Sequence, residues 1–565
     1  MSLLPSIGGE ETVVYSNNRF GPYVFGTNLY CLVDRASFGG GIYVDKSIDG
    51  GATFTEISDA MSFGPYTGAA PFKCMGVCKL GTKLYVFYNP IGGGTSQPIK
   101  YSIFDTGSDT WSGGNASPTV FNTGLTETAG SSPAALFEDA HAAESDGTNI
   151  YLLYTGASER VSGLDYDRVW YATYDGVTWS AGSQVPGQTG NALQYNASQV
   201  IVTAAGRIQL IYTRSTWVGL SLTELDLMSC AVVAGVFKTP QVVATDPNIN
   251  TNFNQSTIGI GAATTSNKLV VPYVGGGATA GPGGLGPALD NRIAYATDAD
   301  NPTWATVQFD ATKQMDGFED CAEPGICSIV ATTSDLFVFW LHPTARATSG
   351  NWQDYPKAGQ ILWSQNAGGA SNPGGGSWTA PATLATYTAI ETPGGVAAFQ
   401  VDSSTIGILV FTIQAQPLAA LTAADLKHYY LTLALSTTAT LTLQKVVSNT
   451  HGGTAVATDW TVRAIGPATL SGAGSASSPG LPTGTYALSE GGPPGYSASS
   501  WVCVGGSQSG ANITLAGGDV VTCTITNSDV APGPPAPPSM CEPVTVTTPT
   551  PSLAAYNEAT EKQGS

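Results

Sequence analysis

Two short acidic runs share a tripeptide. Phe137-Glu138-Asp139 leads into Ala140-His141, and Phe318-Glu319-Asp320 leads into Cys321-Ala322-Glu323. If the fold brings Glu138, Asp139, Glu319 and Asp320 together, one carboxyl can act as acid and another as base or nucleophile across a glycosidic bond. Asp139 and Asp320 could instead offer a Ca²⁺ ion the oxygen ligands it prefers. The bland role is structural, since Asp and Glu also cap and turn the chain where strands begin. Arg35, Arg214 and Arg292 are candidates for gripping a carboxylate through the paired N–H groups of a guanidinium, against the plainer role of solvated or salt-bridged loop arginines. Trp217, Trp352 and Tyr355 fall in the longer insertions 214–225 and 342–358. There an aromatic face can stack on a sugar ring or simply anchor its own loop. No Ser/His/Asp or Cys/His set has a recognisable spacing, no GxxxxGK[ST] loop occurs, and four histidines are too few for a His-rich metal centre.

The elements that must position these residues are strands. Only 11% of the 565 residues are charged, 42% are hydrophobic, and there are 69 Gly and 35 Pro. Long surface helices need Lys, Glu and Arg for their wet faces, so a mainly helical chain is excluded, as is disorder of the charged, apolar-poor kind. A β-rich run recurs seven times: Leu29–Val33, Leu84–Tyr88, Ile150–Tyr154, Ile208–Tyr212, Leu269–Tyr273, Leu336–Trp340 and Ile406–Val410, at separations of 55 to 70 residues. Being apolar on both faces, each reads as a strand sandwiched in a stack. In most copies an alternating strand, a tight Asp/Gly turn and an aromatic follow, as in residues 42–54, 99–111, 169–179, 293–304 and 361–378. They read as the third and fourth strands of a meander, with the aromatic placed to plug the gap between neighbouring sheets. A four-stranded unit of about 60 residues repeated six or seven times has the size of a propeller blade. The expected fold is therefore all-β, a six- or seven-bladed propeller over 1–435.

The net charge is −20 and basic residues are thinly spread, so no nucleic-acid partner is expected. No apolar run approaches 18 residues, and the first residues, MSLLPSIGGEETVVYS, show neither a basic nor an apolar leader region, so neither a membrane span nor a secretory signal is expected. Of nine cysteines, three close pairs stand out as candidate disulfides: Cys74/Cys78, Cys321/Cys327 and Cys503/Cys523. Buried free thiols are the alternative.

At Ser47-Ile48-Asp49-Gly50-Gly51-Ala52-Thr53-Phe54 the chain fits the pattern S-x-D-x-G-x-T-[WF], with Ser47, Asp49, Gly51, Thr53 and Phe54 at the defining positions. This resembles the Asp box of sialidase-like propellers. The resemblance implies a structural hairpin on the outer rim, found in enzymes and non-enzymes alike. A sialidase would also need converging arginines, and none of those present sits in the F/Y-R-I/L-P motif that usually supplies the first.

Near residue 436 the composition shifts to Thr, Ala, Ser and Leu. GTYALSE (484–490), PPGYSASSWVC (493–503) and ITLAGGDVVTCTITN (513–527) together resemble the SpaA-type prealbumin-like β-sandwich module of bacterial surface proteins and some phage virion proteins. That resemblance implies a sandwich over 436–530, a Cys503–Cys523 bridge between two strands, and a spacer or stalk role. Some members carry lysine–asparagine isopeptide bonds, and Lys445 and Asn527 stand at the ends where one would form, though the sequence does not by itself assign one. Residues 531–565 are a Pro-rich linker and a tail whose Cys541 could tie neighbouring subunits.

An extracellular-style module on a disulfide-capable propeller fits a structural protein of a tailed-phage virion: fibre, collar or capsid decoration. Its expected partners are other virion proteins, a host-surface glycan and further copies of itself. A propeller glycosidase or depolymerase, and a bacterial surface adhesin located extracellularly or at the cell surface, are the alternatives. No cofactor is expected beyond the Ca²⁺ option.

Overall fold

The computed structural model describes residues 2–3, 21–35, 41–57, 61–62, 73–89, 100–112, 119–120, 141–161, 164–189, 193–218, 221–246, 259–280, 287–310, 327–343, 359–375, 378–387, 393–412, 429–435, 438–515 and 517–531. Ahead of residue 436 they form seven antiparallel meanders. From the inside outward, blade 1 is Tyr23–Phe25, Asn28–Arg35, Gly41–Ser47 and Thr55–Glu56. The innermost strands of blades 2 to 7 are Lys73–Leu80, His141–Ser145, Leu193–Val202, Ala262–Ala263, Cys327–Ala331 and Pro393–Asp402. Each repeated apolar run is the second strand of its blade, where both faces meet a neighbouring sheet; Leu84, Leu152, Leu210, Leu269, Val338 and Ile408 are all fully buried. Blade 7 takes its outermost strand from the other end of the chain, Ser2–Leu3 pairing with Tyr429–Ala434. Seven blades, rather than six, make up the wheel.

The turns between third and outer strands work as seals. Each carries an aromatic or polar group onto the blade before it. Trp179 of blade 3 meets Phe87 and Tyr101 of blade 2, at ring separations of 5.6 and 5.9 Å. Phe237 of blade 4 meets Tyr171 of blade 3, and Trp378 of blade 6 meets Phe309 of blade 5. Trp304 of blade 5 donates Nε1–H to Ser229 of blade 4 at 2.9 Å. Asp109 of blade 2 accepts from Tyr30 and Lys46 of blade 1 at 3.0 and 2.7 Å. The Asp box joins the last blade to the first, since Phe54 packs edge-on against Tyr430 at 5.3 Å. Within it Asp49 accepts from the Thr53 hydroxyl and backbone N–H, and these bonds with that of Ser47 pull its carboxyl down to about 2. Gly51 has φ +94°, and a Cβ there would lie 1.9 Å from the Tyr430 ring, so the position needs glycine for both reasons.

Residues 438–529 form a two-sheet sandwich. One sheet runs Ser475–Pro482, Thr438–Ser448, Val520–Asp529, then Tyr496–Ala498 and Val502–Val504, both on the far side of Val520–Asp529. The other runs Thr469–Ala473, Thr461–Ile465, Gly484–Gly491, Asn512–Leu515, Ser507–Ser509. Leu441, Leu443, Val462, Tyr486, Ile513, Val521 and Ile525 fill the space between them. Asp529 locks the loop after Thr438–Ser448 by accepting from the N–H groups of Thr450, His451 and Gly453.

Cys503 stands opposite Cys523 on adjacent strands and is bonded to it, with 4.0 Å between their Cα atoms. The other two expected bridges are corrected. Cys78 is a free, buried thiol. Cys74 lies four residues back on the same strand, and such residues stand about 13 Å apart along a strand, twice what a disulfide spans. Cys327 is likewise free and buried, its sulfur lying over Gly259 at the seam between blades 5 and 6. Its expected partner Cys321 lies outside the described residues, as does Cys541.

Candidate functional site

All seven innermost strands face one another around a central cavity of about 670 Å³. Side chains tie these strands across the seams. Gln199 of blade 4 donates to Gly259 O at 3.1 Å and accepts from Gly261 N at 2.8 Å, so a side-chain amide continues the hydrogen bonding into blade 5. Backbone bonds, Ile260 N to Cys327 O and Ile329 N to Ile260 O, carry it into blade 6. Ser328 Oγ accepts from Ala398 N at 3.1 Å, reaching blade 7. Between blades 1 and 2, Tyr23 donates to Val77 O and Lys79 donates to Val24 O.

The cavity lies toward the end of the wheel where first strands turn into second strands. Its charged lining among the described residues is Lys79, Glu144 and Asp146. Burial lowers the Lys79 amine, which also sits 4.2 Å from the centre of the Phe25 ring. Asp146 is occupied by its own turn, accepting from the N–H groups of Thr148 and Asn149 and from Tyr151 Oη–H at 2.6 Å. Burial works against ionisation of Asp146, but these bonds prevail and its carboxyl lies below the ordinary range. Among the described residues no three His, Cys, Asp or Glu side chains converge to hold a metal ion.

The opposite end of the wheel carries the connections between second and third strands. Arg35 ends the second strand of blade 1, Arg214 lies near the end of that in blade 4 (Ile208–Val218), and Arg292 lies in the third strand of blade 5 (Pro287–Thr297). Arg214 is committed to Asp226, which is 1% exposed and takes both Nε–H, at 2.8 Å, and Nη2–H. Thr245 donates to the other oxygen of that carboxylate at 2.5 Å. Arg292 is half-buried opposite Tyr273. Trp217 pairs through its backbone with Leu222; its side chain and that of Arg35 lie outside the described residues, as do Glu138, Asp139, Glu319, Asp320, Trp352 and Tyr355 entirely.

Sequence reading missed a fourth arginine at this end. Arg168 of blade 3 is 4% exposed, donates to Leu193 O at 3.0 Å and lies 5.5 Å from the Tyr195 ring centre. Tyr195 stands directly across from Arg214. Burial raises the Tyr195 hydroxyl, against the pull of both arginines. The seam between blades 3 and 4 thus holds two guanidinium groups around one phenol, a cationic setting beside the buried Asp226.

A polar group also occupies the sandwich. Lys445 Nζ, with a fully buried side chain, pairs with Glu490 at 2.5 Å and lies 4.9 Å from the Trp460 ring centre. Asn527 shares the inward face with Lys445, two residues further along the partner strand, and is 4% exposed with no hydrogen-bond partner for Oδ1.

An all-β propeller carrying a small sandwich is the class these features define. Within it, residues 436–525 match the family model of the prealbumin-like fold domain, of SpaA type. No curated protein matches the sequence. Solved structures similar in fold include an ulvan lyase of a polysaccharide lyase family (9% identity, TM-score 0.47, covering 76% of this chain and 95% of that one). Others are a sialidase from Streptococcus pneumoniae (11%, TM-score 0.38, 76% and 70%) and an α-L-arabinofuranosidase from Fusarium graminearum (11%, TM-score 0.38, 76% and 97%). Likeness at this level carries no information about chemistry.

Proposed function

We propose that this chain is a display protein that works outside the reducing cytoplasm, an appendage of a tailed-phage virion in which the propeller is the recognition head and the prealbumin-like module its spacer. The observation that carries the reading is the union, in one chain, of a propeller stapled across its seams with a disulfide-bearing SpaA-type module. The state of the thiols supports it. Cys503 and Cys523 are bonded, as suits oxidising surroundings. Cys31, Cys78, Cys230 and Cys327 are buried, and burial raises each thiol above its ordinary range, which keeps it un-ionised and inert.

The target is a surface glycan, held weakly by each head and firmly by many. Trp217, Trp352 and Tyr355 are the aromatic contacts of this reading, and other virion proteins hold the opposite end. The test is a panel of bacterial surface polysaccharides probed with the purified full chain, beside immunogold labelling of phage particles. Labelled particles, and binding that Trp217→Ala and Trp352→Ala weaken together, are expected. Unlabelled particles would remove the virion role. Release of sugar fragments that Glu138→Ala and Glu319→Ala abolish would establish a depolymerase instead.

A further inference from the structure

The sandwich is turned inside out in one respect. Its first sheet has two charged residues among its strands, Lys445 and Asp529, and both point inward, each 6% exposed. The outward face of the same sheet carries no charge. Val446, Val502, Val504 and Val520 stand there 45, 63, 74 and 74% exposed, and the positions between them on Thr438–Ser448 and Val520–Asp529 are mainly threonines. By strand alternation all four valines share that face: Val502 and Val504 pair with Thr524 and Thr522, and Val520 with Thr440. The second sheet differs, because Arg463 projects from its outer face. An uncharged valine and threonine face is what a sheet shows where another surface covers it.

We infer that this face is an interface between two copies of the chain, stacked sheet against sheet about a two-fold axis. Two arguments select a second copy. Each chain carries a net charge of −20, so approach by most surfaces sets like charges against each other, whereas this face opposes none to its own image. The size also fits. Strands of 8, 11 and 10 residues, with two of 3 residues sharing the fourth position, make about 550 Å² in projection, and the accessible surface of a corrugated face exceeds its projection, near the roughly 600–1,000 Å² per partner of a standard stable interface. Face-to-face packing of two such sheets needs no rearrangement of either. The consequence is a pair of propellers on one base.

The test uses the full chain in a Cys541→Ser background, so that an intermolecular disulfide contributes nothing. Sedimentation velocity is expected to give twice the 58.0 kDa of one chain. Val504→Glu with Val520→Glu places like charges in the seam and halves that mass, while Ile465→Glu, on the outer face of the other sheet, leaves it unchanged. Far-UV circular dichroism and retention of the Cys503–Cys523 bond check that the double variant is folded. A wild-type chain that stays monomeric at high concentration, or a folded double variant that keeps the wild-type mass, overturns the inference.

Discussion

A buried ammonium is costly unless a charged partner compensates it, and Lys445 has one in Glu490. The pair sits beside an amide, Asn527, whose Oδ1 has no hydrogen-bond partner, an arrangement that stability alone does not require. If Glu490 takes the proton, Lys445 Nζ becomes a nucleophilic amine on the same inward face as the Asn527 side chain. A bond from Nζ to Cγ then forms, Glu490 returns its proton to Nδ2 as the Cγ–Nδ2 bond breaks and ammonia leaves, and Glu490 takes up the second proton that Nζ gives up on becoming an amide. The resemblance to SpaA-type modules implies such a bond in some members, and here the acid, amine and amide share one interior. The intact mass of the purified chain is expected to fall short of the sequence mass by one ammonia. Glu490→Gln and Asn527→Ala should each abolish that loss of ammonia. A wild-type mass equal to that of the sequence would exclude the bond.

At the scale of strands and turns, the repeated runs and the aromatic behind each turn were readable because burial on both faces and plugging of a seam leave a local pattern. The ties across the seams leave none. Gln199 meets Gly259 and Gly261 some sixty residues away, and nothing in the spacing of a lone glutamine announces it. Likewise Arg168 meets Tyr195 of the next blade, and no local pattern marks that arginine apart from the others. Cys74 and Cys78 looked like a pair because they are close in sequence, but along one extended strand that closeness keeps them apart. Replacing Gln199 with Leu would remove both bonds and leave the Gly259 carbonyl without the amide donor, at about 1–3 kcal/mol. The expected result is a lower midpoint for the propeller's thermal transition, with the sandwich's transition unmoved. An unchanged propeller midpoint would show that the amide does not join the blades.

Across the whole molecule, two kinds of structure are stabilised in different ways, and their responses to reductant should separate them. The propeller depends on ring packing: each sheet is satisfied by its neighbours, the wheel is completed by Ser2–Leu3 on Tyr429–Ala434, and its described cysteines with described side chains are free already. The sandwich has the smaller core and a disulfide closing a loop of 20 residues. A loop of that size contributes about 3 kcal/mol in the chain-entropy model. For a domain of under 100 residues, each kcal/mol moves the midpoint by about 4–8 °C. Scanning calorimetry of the full chain is therefore expected to show two transitions. Reductant, or Cys503→Ser with Cys523→Ser, should lower the sandwich's by more than about 10 °C and leave the propeller's in place. A shift of both together would mean that the two units unfold as one, and the spacer and head would then have to be treated as a single body.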